Sequence, residues 1–353
     1  MFYSGIDLHK DNCVITTIDE KGRIINQNRI RNTNRDILSY FSTHDGKHRA
    51  VVESTANWYW LSDLLQNHAI EMTLAHSKYL KAISYAKVKT DKVDSLTLAQ
   101  LLRMNLIPSA HQITTDKRSM RDLMRARLRL VRKRASCYTS IHRLLGKFNC
   151  SIPEDLQLHN PSTFKQIENI QLDPDYQLQL EAYIEQIKLL TKQIKTLEKR
   201  LYDVLVPNDD IQRLLTIPGI GKISAFTIYL EIDGINRFPD VKHFFSYCRL
   251  VPGAANSNKK QKHKSSKDGN RYLKMAFTEA AVRAVQYYKE IKQFHHKKLR
   301  KSHKAIARAI VAKELARIVY YVLKEKTEFK TFKGIAVSRE KVRQWPYLAS
   351  PSA

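Results

Sequence analysis

The stretch MFYSGIDLHKDNCVITTIDEKGRIINQNRI, residues 1–30, decides the fold. Residues 2–8, 13–19 and 24–30 are rich in β-branched and apolar side chains, and the polar breaks HKDN and EKGR separate them, so the segment reads as three consecutive short strands. Polar residues then lead into a helix at 35–42. RAVVEST, 49–55, is a β-branched run typical of a buried strand; WYWLSDLLQNH after it has helical spacing, and EMTLAH, 71–76, supplies a fifth strand. KVKTDKVDSLTLAQLLRM, 87–104, supplies the next helix. Three strands followed by helix, strand, helix, strand and helix make an α/β layer arrangement.

That order matches the ribonuclease-H-like fold, in which the first strand sits at the sheet centre and pairs with the fourth. Asp7 and Glu53 then project near each other, and the helix after the fifth strand packs beside them. Asp91 and Asp94 open that helix one turn apart, on one face. Acids in a first turn are also favoured by the helix dipole, which is the ordinary explanation for such a pair. Four carboxylates drawn from three elements repel one another and raise each other's pKa unless a hard divalent cation neutralises them. Magnesium suits such a cluster, and two ions about 4 Å apart can activate an attacking oxygen and stabilise a leaving one at phosphorus.

The rest of the chain points to a polyanionic partner. A formal net charge of +27 accompanies 43% hydrophobic residues, which describes a folded protein and not a disordered polycation. Nucleic acid is favoured over a membrane, because no apolar run is long enough to span a bilayer and no signal-peptide core opens the chain. A soluble, cytoplasmic protein is expected. Cys13, Cys137, Cys150 and Cys248 are scattered without a CxxC pair, so neither a zinc site nor a disulfide framework is indicated.

Residues 116–148 form a long helix candidate in which Arg118, Arg121, Arg125, Arg129 and Arg132 recur at three- and four-residue steps. Such a stripe suits phosphate tracking, against the alternative of a solvated charged face. After a polar linker, Leu180, Ile187, Ile194 and Leu201 repeat every seven residues, with Tyr183, Leu190, Leu197 and Val204 three residues on. This is a coiled-coil pattern whose partner is either a second copy or the 116–148 helix folded back. LLTIPGIGKISA carries Gly219 and Gly221 in a helix-hairpin-helix-like turn, where glycine lets backbone amides approach a phosphate. A polar loop at 250–274 holds Ser257, Ser265 and Ser266 among Lys259, Lys260, Lys262, Lys264 and Lys267, before amphipathic helices at 270–288 and 302–325. The expected division is an α/β domain at 1–112, a basic helix and coiled coil at 113–208, a mainly α domain at 209–330 and a tail at 331–353. Trp58, Tyr59 and Trp60 suit packing under the sheet better than base stacking. His9 and Lys10 stand beside Asp7 and outside the catalytic set.

GIDLHK with Asp7, VEST with Glu53 and KTDKVDS with Asp91 and Asp94 resemble the DEDD transposases of bacterial insertion sequences, whose N-terminal domain is RuvC-like. PGIGKISA, FFSYCRLVPG and SSKDGNRYLK are similar to that family's C-terminal transposase domain, so the resemblance covers nearly the whole chain in order. It implies cut-and-rejoin DNA recombination guided by a noncoding bridge RNA that pairs with donor and target DNA. It also implies magnesium at the acidic cluster and a C-terminal serine nucleophile that becomes covalently linked to a DNA strand. Ser257 matches that serine by position after LVPG; many relatives have glycine next, whereas this chain has Asn258, and Ser266 is the second candidate. A dimer or a dimer of dimers is expected. Two other functions fit parts of the sequence: a RuvC-like nuclease selective for DNA junctions, and a noncatalytic basic scaffold for nucleic acid.

Overall fold

The computed structural model describes residues 1–54, 57–83, 90–150, 161–257, 260–265 and 268–337, with backbone alone at 82, 161–164, 253–257 and 260–265. The chain divides into two compact units, Met1–Ile113 and Thr114–Ala353. No helix among the described residues is long and apolar enough to cross a membrane.

The first unit runs β1 (Phe2–Leu8), β2 (Asn12–Ile18), β3 (Ile24–Arg31), α1 (Asn34–Phe41), β4 (His48–Glu53), α2 (Trp58–Asn67), β5 (Glu71–Ala75), α3 (Ser77–Ile83) and α4 (Asp91–Arg103). Its five-stranded sheet has the order β3-β2-β1-β4-β5, with β1 antiparallel to β2 and parallel to β4. This mixed α/β arrangement is consistent with a ribonuclease-H-like domain, and the short α3 was not expected from the sequence. Strand alternation divides the residues between two faces. Ile6, Ile15, Ala50 and Val52 join Ile37 of α1 and Leu61 and Leu65 of α2 in one apolar cluster. On the other face Val51 packs with Leu98 and Leu102 of α4.

The second face depends on Gly5. A Cβ there would lie 2.0 Å from the Ser95 carbonyl oxygen and 2.5 Å from the Ala99 nitrogen, so α4 rests with its backbone directly on β1. Two hydrogen bonds fix the helix in rotation, and a third ties their strand-side partners together. Thr16 Oγ1 and Ser95 Oγ lie 2.7 Å apart, and Gln27 Nε2 donates to Thr16 Oγ1 at 2.8 Å and to the Lys92 carbonyl at 3.1 Å. Thr90 caps α4 by accepting from the Val93 amide at 3.3 Å.

The second unit runs α5 (Thr115–Gly146), α6 (Pro161–Glu168), α7 (Pro174–Leu205), α8 (Asp209–Leu215), α9 (Lys222–Ile232), α10 (Val241–Tyr247), β6 (Pro252–Ser257), β7 (Lys260–Ser265), α11 (Arg271–Tyr287), α12 (Lys289–Leu299) and α13 (Lys304–Glu325). The heptad helix α7 packs along α5 of the same chain, with Leu180, Ile184 and Ile187 against Cys137, Ile141 and Leu144. Arg127 ties the pair by donating to Glu198 Oε1 from Nε at 2.8 Å and from Nη2 at 2.5 Å. By the last turn Val204 is 39% exposed and Leu205 is buried instead, the drift expected of a 3.6-residue turn against a 3.5-residue repeat. Three elements depart from expectation: 250–274 contains the antiparallel hairpin β6–β7, the linker contains α6, and α12 stands between the two C-terminal helices.

A buried polar knot holds α5, α9 and α11 together. Arg125 donates from Nε and Nη2 to the two carboxylate oxygens of Glu231 at 2.6 and 2.7 Å and lies over the Tyr272 ring at 4.7 Å. Asn270 Nδ2 donates to Glu231 Oε2 at 2.6 Å while its Oδ1 caps α11 by accepting from the Tyr272 and Leu273 amides. The Glu231 side chain is 2% exposed.

Gly5→Ala should cost about 3 kcal/mol, the upper part of the overpacking range, because backbone atoms and not a flexible side chain occupy the space. Denaturant unfolding followed by the fluorescence of Trp58 and Trp60 measures it. Arg125→Ala should cost about 3–5 kcal/mol by stranding the Glu231 carboxylate, and Arg125→Ala with Glu231→Leu should recover part of that loss. Thermal and denaturant melts of the three proteins check the order.

Candidate active site

The sheet register assembles the acidic site. Asp7 of β1 pairs with Val14 of β2, which pairs with Arg29 of β3, so these three residues form one row on the α4 face. His9 follows Asp7 by two residues, just past the end of β1. The first turn of α4 brings Asp91 over this row. His9 Nε2 lies 3.2 Å from Asp7 Oδ2 and 3.5 Å from Asp91 Oδ2, and Arg29 Nη2 donates to Asp91 Oδ2 at 2.5 Å. One donor atom from each of Asp7, His9 and Asp91 falls within 4.8 Å of the others.

Asp7 is held above the ordinary carboxylate range, first by burial; His9 offsets this, while Asp91 and Asp94 raise it further by repulsion. Asp94 thus feels the site electrostatically, although it is not a member of the close triad. Glu53 ends β4, one position beyond the Ile6–Val52 pair that aligns β4 with β1. Alternation puts it on the face that carries Asp7, and its carboxylate likewise lies outside the triad. The donor chemistry fits a divalent cation: hard carboxylate oxygens from two elements converge where burial and the neighbouring acids disfavour the negative charge of Asp7. Asp7 and Asp91 are the residues placed to hold it. His9 is better suited to bridging the two carboxylates than to binding magnesium, which prefers oxygen donors.

His9 and Arg29 are the members that sequence periodicity did not select. A signal for His9 exists in its i, i+2 spacing from Asp7 along an extended strand. None exists for Arg29, whose place follows from the register of a third strand. Trp58 belongs to the core under the sheet, with Tyr59 and Trp60 packed against it.

The basic candidates separate into inner and outer groups. Arg118 is buried, and Arg125 is bound by Glu231 within the second unit. Arg121 is half-buried, whereas Arg129 and Arg132 are exposed, the latter donating to Met275 Sδ at 3.4 Å. Gly219 has φ +81°, and a Cβ there would lie 2.3 Å from the Ala280 carbonyl oxygen, so glycine is required for this turn to pack against α11. Gly221 caps α9 with open space where a Cβ would be. Ser257 ends β6 opposite Lys260 of β7, on which Lys262 and Lys264 also lie. Lys259, Ser266 and Lys267 lie outside the described residues.

Comparison with known proteins places this geometry in a family. The DEDD transposase model of the IS110 type matches residues 4–149, and the transposase model described as the IS116/IS110/IS902 family matches residues 211–296. The transposase for insertion sequence element IS1328 of Yersinia enterocolitica is 24% identical over 337 residues, covering 92% of this chain and 97% of that protein. The transposase for IS1111A of Coxiella burnetii is 24% identical over 81% of this chain and 78% of its own length. A probable family 20 transposase of Pseudomonas aeruginosa is 22% identical over 80% and 83%. The first model spans the sheet and α4 that gather Asp7 and Asp91, and the second spans the helices that frame the β6–β7 hairpin, so the chain belongs to the IS110-type DEDD transposases of insertion sequences.

Proposed function

We propose that this transposase moves an insertion sequence by cutting and rejoining DNA with two chemical groups. One is the cluster Asp7, Glu53, Asp91 and Asp94, holding magnesium; the other is a serine nucleophile, Ser257 in the first place and Ser266 in the second. What carries the metal half of this reading is the convergence of Asp7 and Asp91, from a strand end and a helix start, within a 4.8 Å triad. Bound there, magnesium would withdraw negative charge from the reacting phosphate and ease proton loss from an attacking oxygen.

A serine hydroxyl is a weak nucleophile until a base takes its proton. Its Oγ forms the new bond to phosphorus as the bond from phosphorus to the leaving strand oxygen breaks. The serine proton passes to the base, and the leaving oxygen collects a proton in turn. Rejoining runs the same exchange backward, so the phosphodiester count is conserved. Lys260, Lys262 and Lys264 share the hairpin with Ser257, and such cations would stabilise the charge on the five-coordinate phosphorus. Exposed Arg129 and Arg132 remain candidates for backbone phosphates. The partners in this reading are donor and target DNA, a noncoding bridge RNA and further copies of the chain, as a dimer or a dimer of dimers.

A junction nuclease using the acids alone would hydrolyse DNA without a protein adduct, and a noncatalytic scaffold would leave the gathered acids without a role. Asp7→Asn should lower strand transfer about 100-fold or more, as when a group acting on developing charge is lost. The same variant should lose the rise in melting temperature that magnesium gives the wild type. Undiminished transposition with an intact magnesium response would remove the metal reading. For the serine, labelled element-junction DNA incubated with protein, co-expressed RNA and magnesium should migrate with protein in SDS, and Ser257→Ala should abolish that adduct. Loss in Ser266→Ala alone moves the nucleophile to Ser266, and cleavage without any adduct favours the nuclease.

A further inference from the structure

The edge strand β3 reaches the start of α4 through two side chains on one face. Gln27 donates to the Lys92 carbonyl at 3.1 Å, and Arg29, two residues on, donates to Asp91 Oδ2 at 2.5 Å. Arg29 is seated by its strand neighbours. Its Nη1 donates to Asn12 Oδ1 of β2 at 3.4 Å, and Asn32, just past β3, donates from Nδ2 to the His9 and Lys10 carbonyls at 3.0 and 3.1 Å. The turn that carries His9 and the strand that carries Arg29 are therefore tied together beside Asp91.

Asp91 Oδ2 is claimed from two sides, by Arg29 and by His9 Nε2 at 3.5 Å. Among the described residues, Arg29 is the only lysine or arginine paired with any of Asp7, Glu53, Asp91 and Asp94. A guanidinium keeps its charge throughout the working pH range, so its claim on that oxygen does not lapse. The bond has two opposed effects. It directs the Asp91 carboxylate over the row that holds Asp7, and it places a fixed positive charge where a divalent ion would take Asp91 as a ligand. The repulsion is the larger effect. Even in water, a single charge a few ångströms from a doubly charged ion weakens its binding about tenfold.

We propose that Arg29 is a positioning residue for the acidic site, which holds Asp91 toward Asp7 while competing with the divalent cation for the same carboxylate. The ion is thereby kept exchangeable and not locked between the acids. The inference rests on the magnesium reading of the cluster, and its test separates the two. Manganese(II), which takes the same hard oxygen ligands as magnesium, is titrated into the full chain at constant ionic strength. The free ion is counted by electron paramagnetic resonance, and circular dichroism checks that each variant is folded. Arg29→Gln should bind the ion about tenfold more tightly than the wild type. Arg29→Lys keeps the charge and should stay close to the wild type. Arg23→Gln removes an exposed arginine about 20 Å back along the same strand and should leave the affinity unchanged, which separates contact from net charge. Unchanged or weaker binding in folded Arg29→Gln, or equal tightening in Arg29→Lys or Arg23→Gln, overturns the proposal. Loss of the bound ion in Asp7→Asn ties it to the acids. A wild type that binds none there removes the magnesium reading, and this inference with it.

Discussion

The backbone contact between Gly5 and α4 is the constraint on which the acidic site depends. With no Cβ at residue 5, the Ser95 carbonyl and the Ala99 nitrogen occupy the space a side chain would fill, and the helix lies at its closest approach to the central strand. Because β-strand side chains alternate, Asp7 emerges on that same face two residues later. The first turn of α4 then delivers Asp91 beside it. The Thr16–Ser95 and Gln27–Lys92 hydrogen bonds resist rolling of the helix, which would carry Asp91 away around its axis. One missing methyl group therefore sets the distance between two carboxylates on different elements.

Bringing acids together stores repulsion, and the site balances it with the protein's own cations. His9 touches both Asp7 and Asp91, and Arg29 pairs with Asp91 through a single short hydrogen bond. The Arg29 side chain is 59% exposed, so its pairing is solvent-screened and weak beside a divalent cation in direct contact with two carboxylates. The Arg29 contact can thus orient Asp91 and still yield to a stronger cation. Asp7, at 24% side-chain exposure, is pushed above the ordinary carboxylate range first by burial and then by the neighbouring acids.

Much of this architecture is legible in the sequence because it is local. The five strands announce themselves by β-branched runs with polar breaks, and Thr90 before a helix-patterned run marks where α4 begins. Asp7, Glu53, Asp91 and Asp94 stand at the ends of such elements, where active-site side chains can project clear of the core. What escaped is non-local or unpatterned. The place of Arg29 depends on the register of β3 against β2 and of β2 against β1, which no single-strand periodicity encodes. The hairpin β6–β7 escaped because KQKHKS lacks apolar alternation, leaving backbone pairing as its only signal. The heptads of α7 foretold a helical partner, yet a seam of apolar residues does not distinguish α5 from a second copy.

The arginine stripe shows why charge and position must be separated. Helical spacing groups Arg118, Arg121, Arg125, Arg129 and Arg132 on α5, but Glu231, far along the chain and itself held by Asn270, claims Arg125. Arginine suits that inward task, since its planar fork meets both oxygens of one carboxylate, and a lysine ammonium cannot reproduce two parallel bonds. Having lost water, the pair contributes little net stability, but it fixes α5, α9 and α11 in one arrangement, because any shift exposes an unpaired buried charge. Asn270 also caps α11, so the same knot sets where the chain leaving β7 enters that helix. A net charge of +27 therefore overstates what this transposase can offer a phosphate backbone. On this one helix Arg125 is held inward by Glu231 while Arg129 and Arg132 stand exposed to solvent, so residues of one type in one stripe do different physical work.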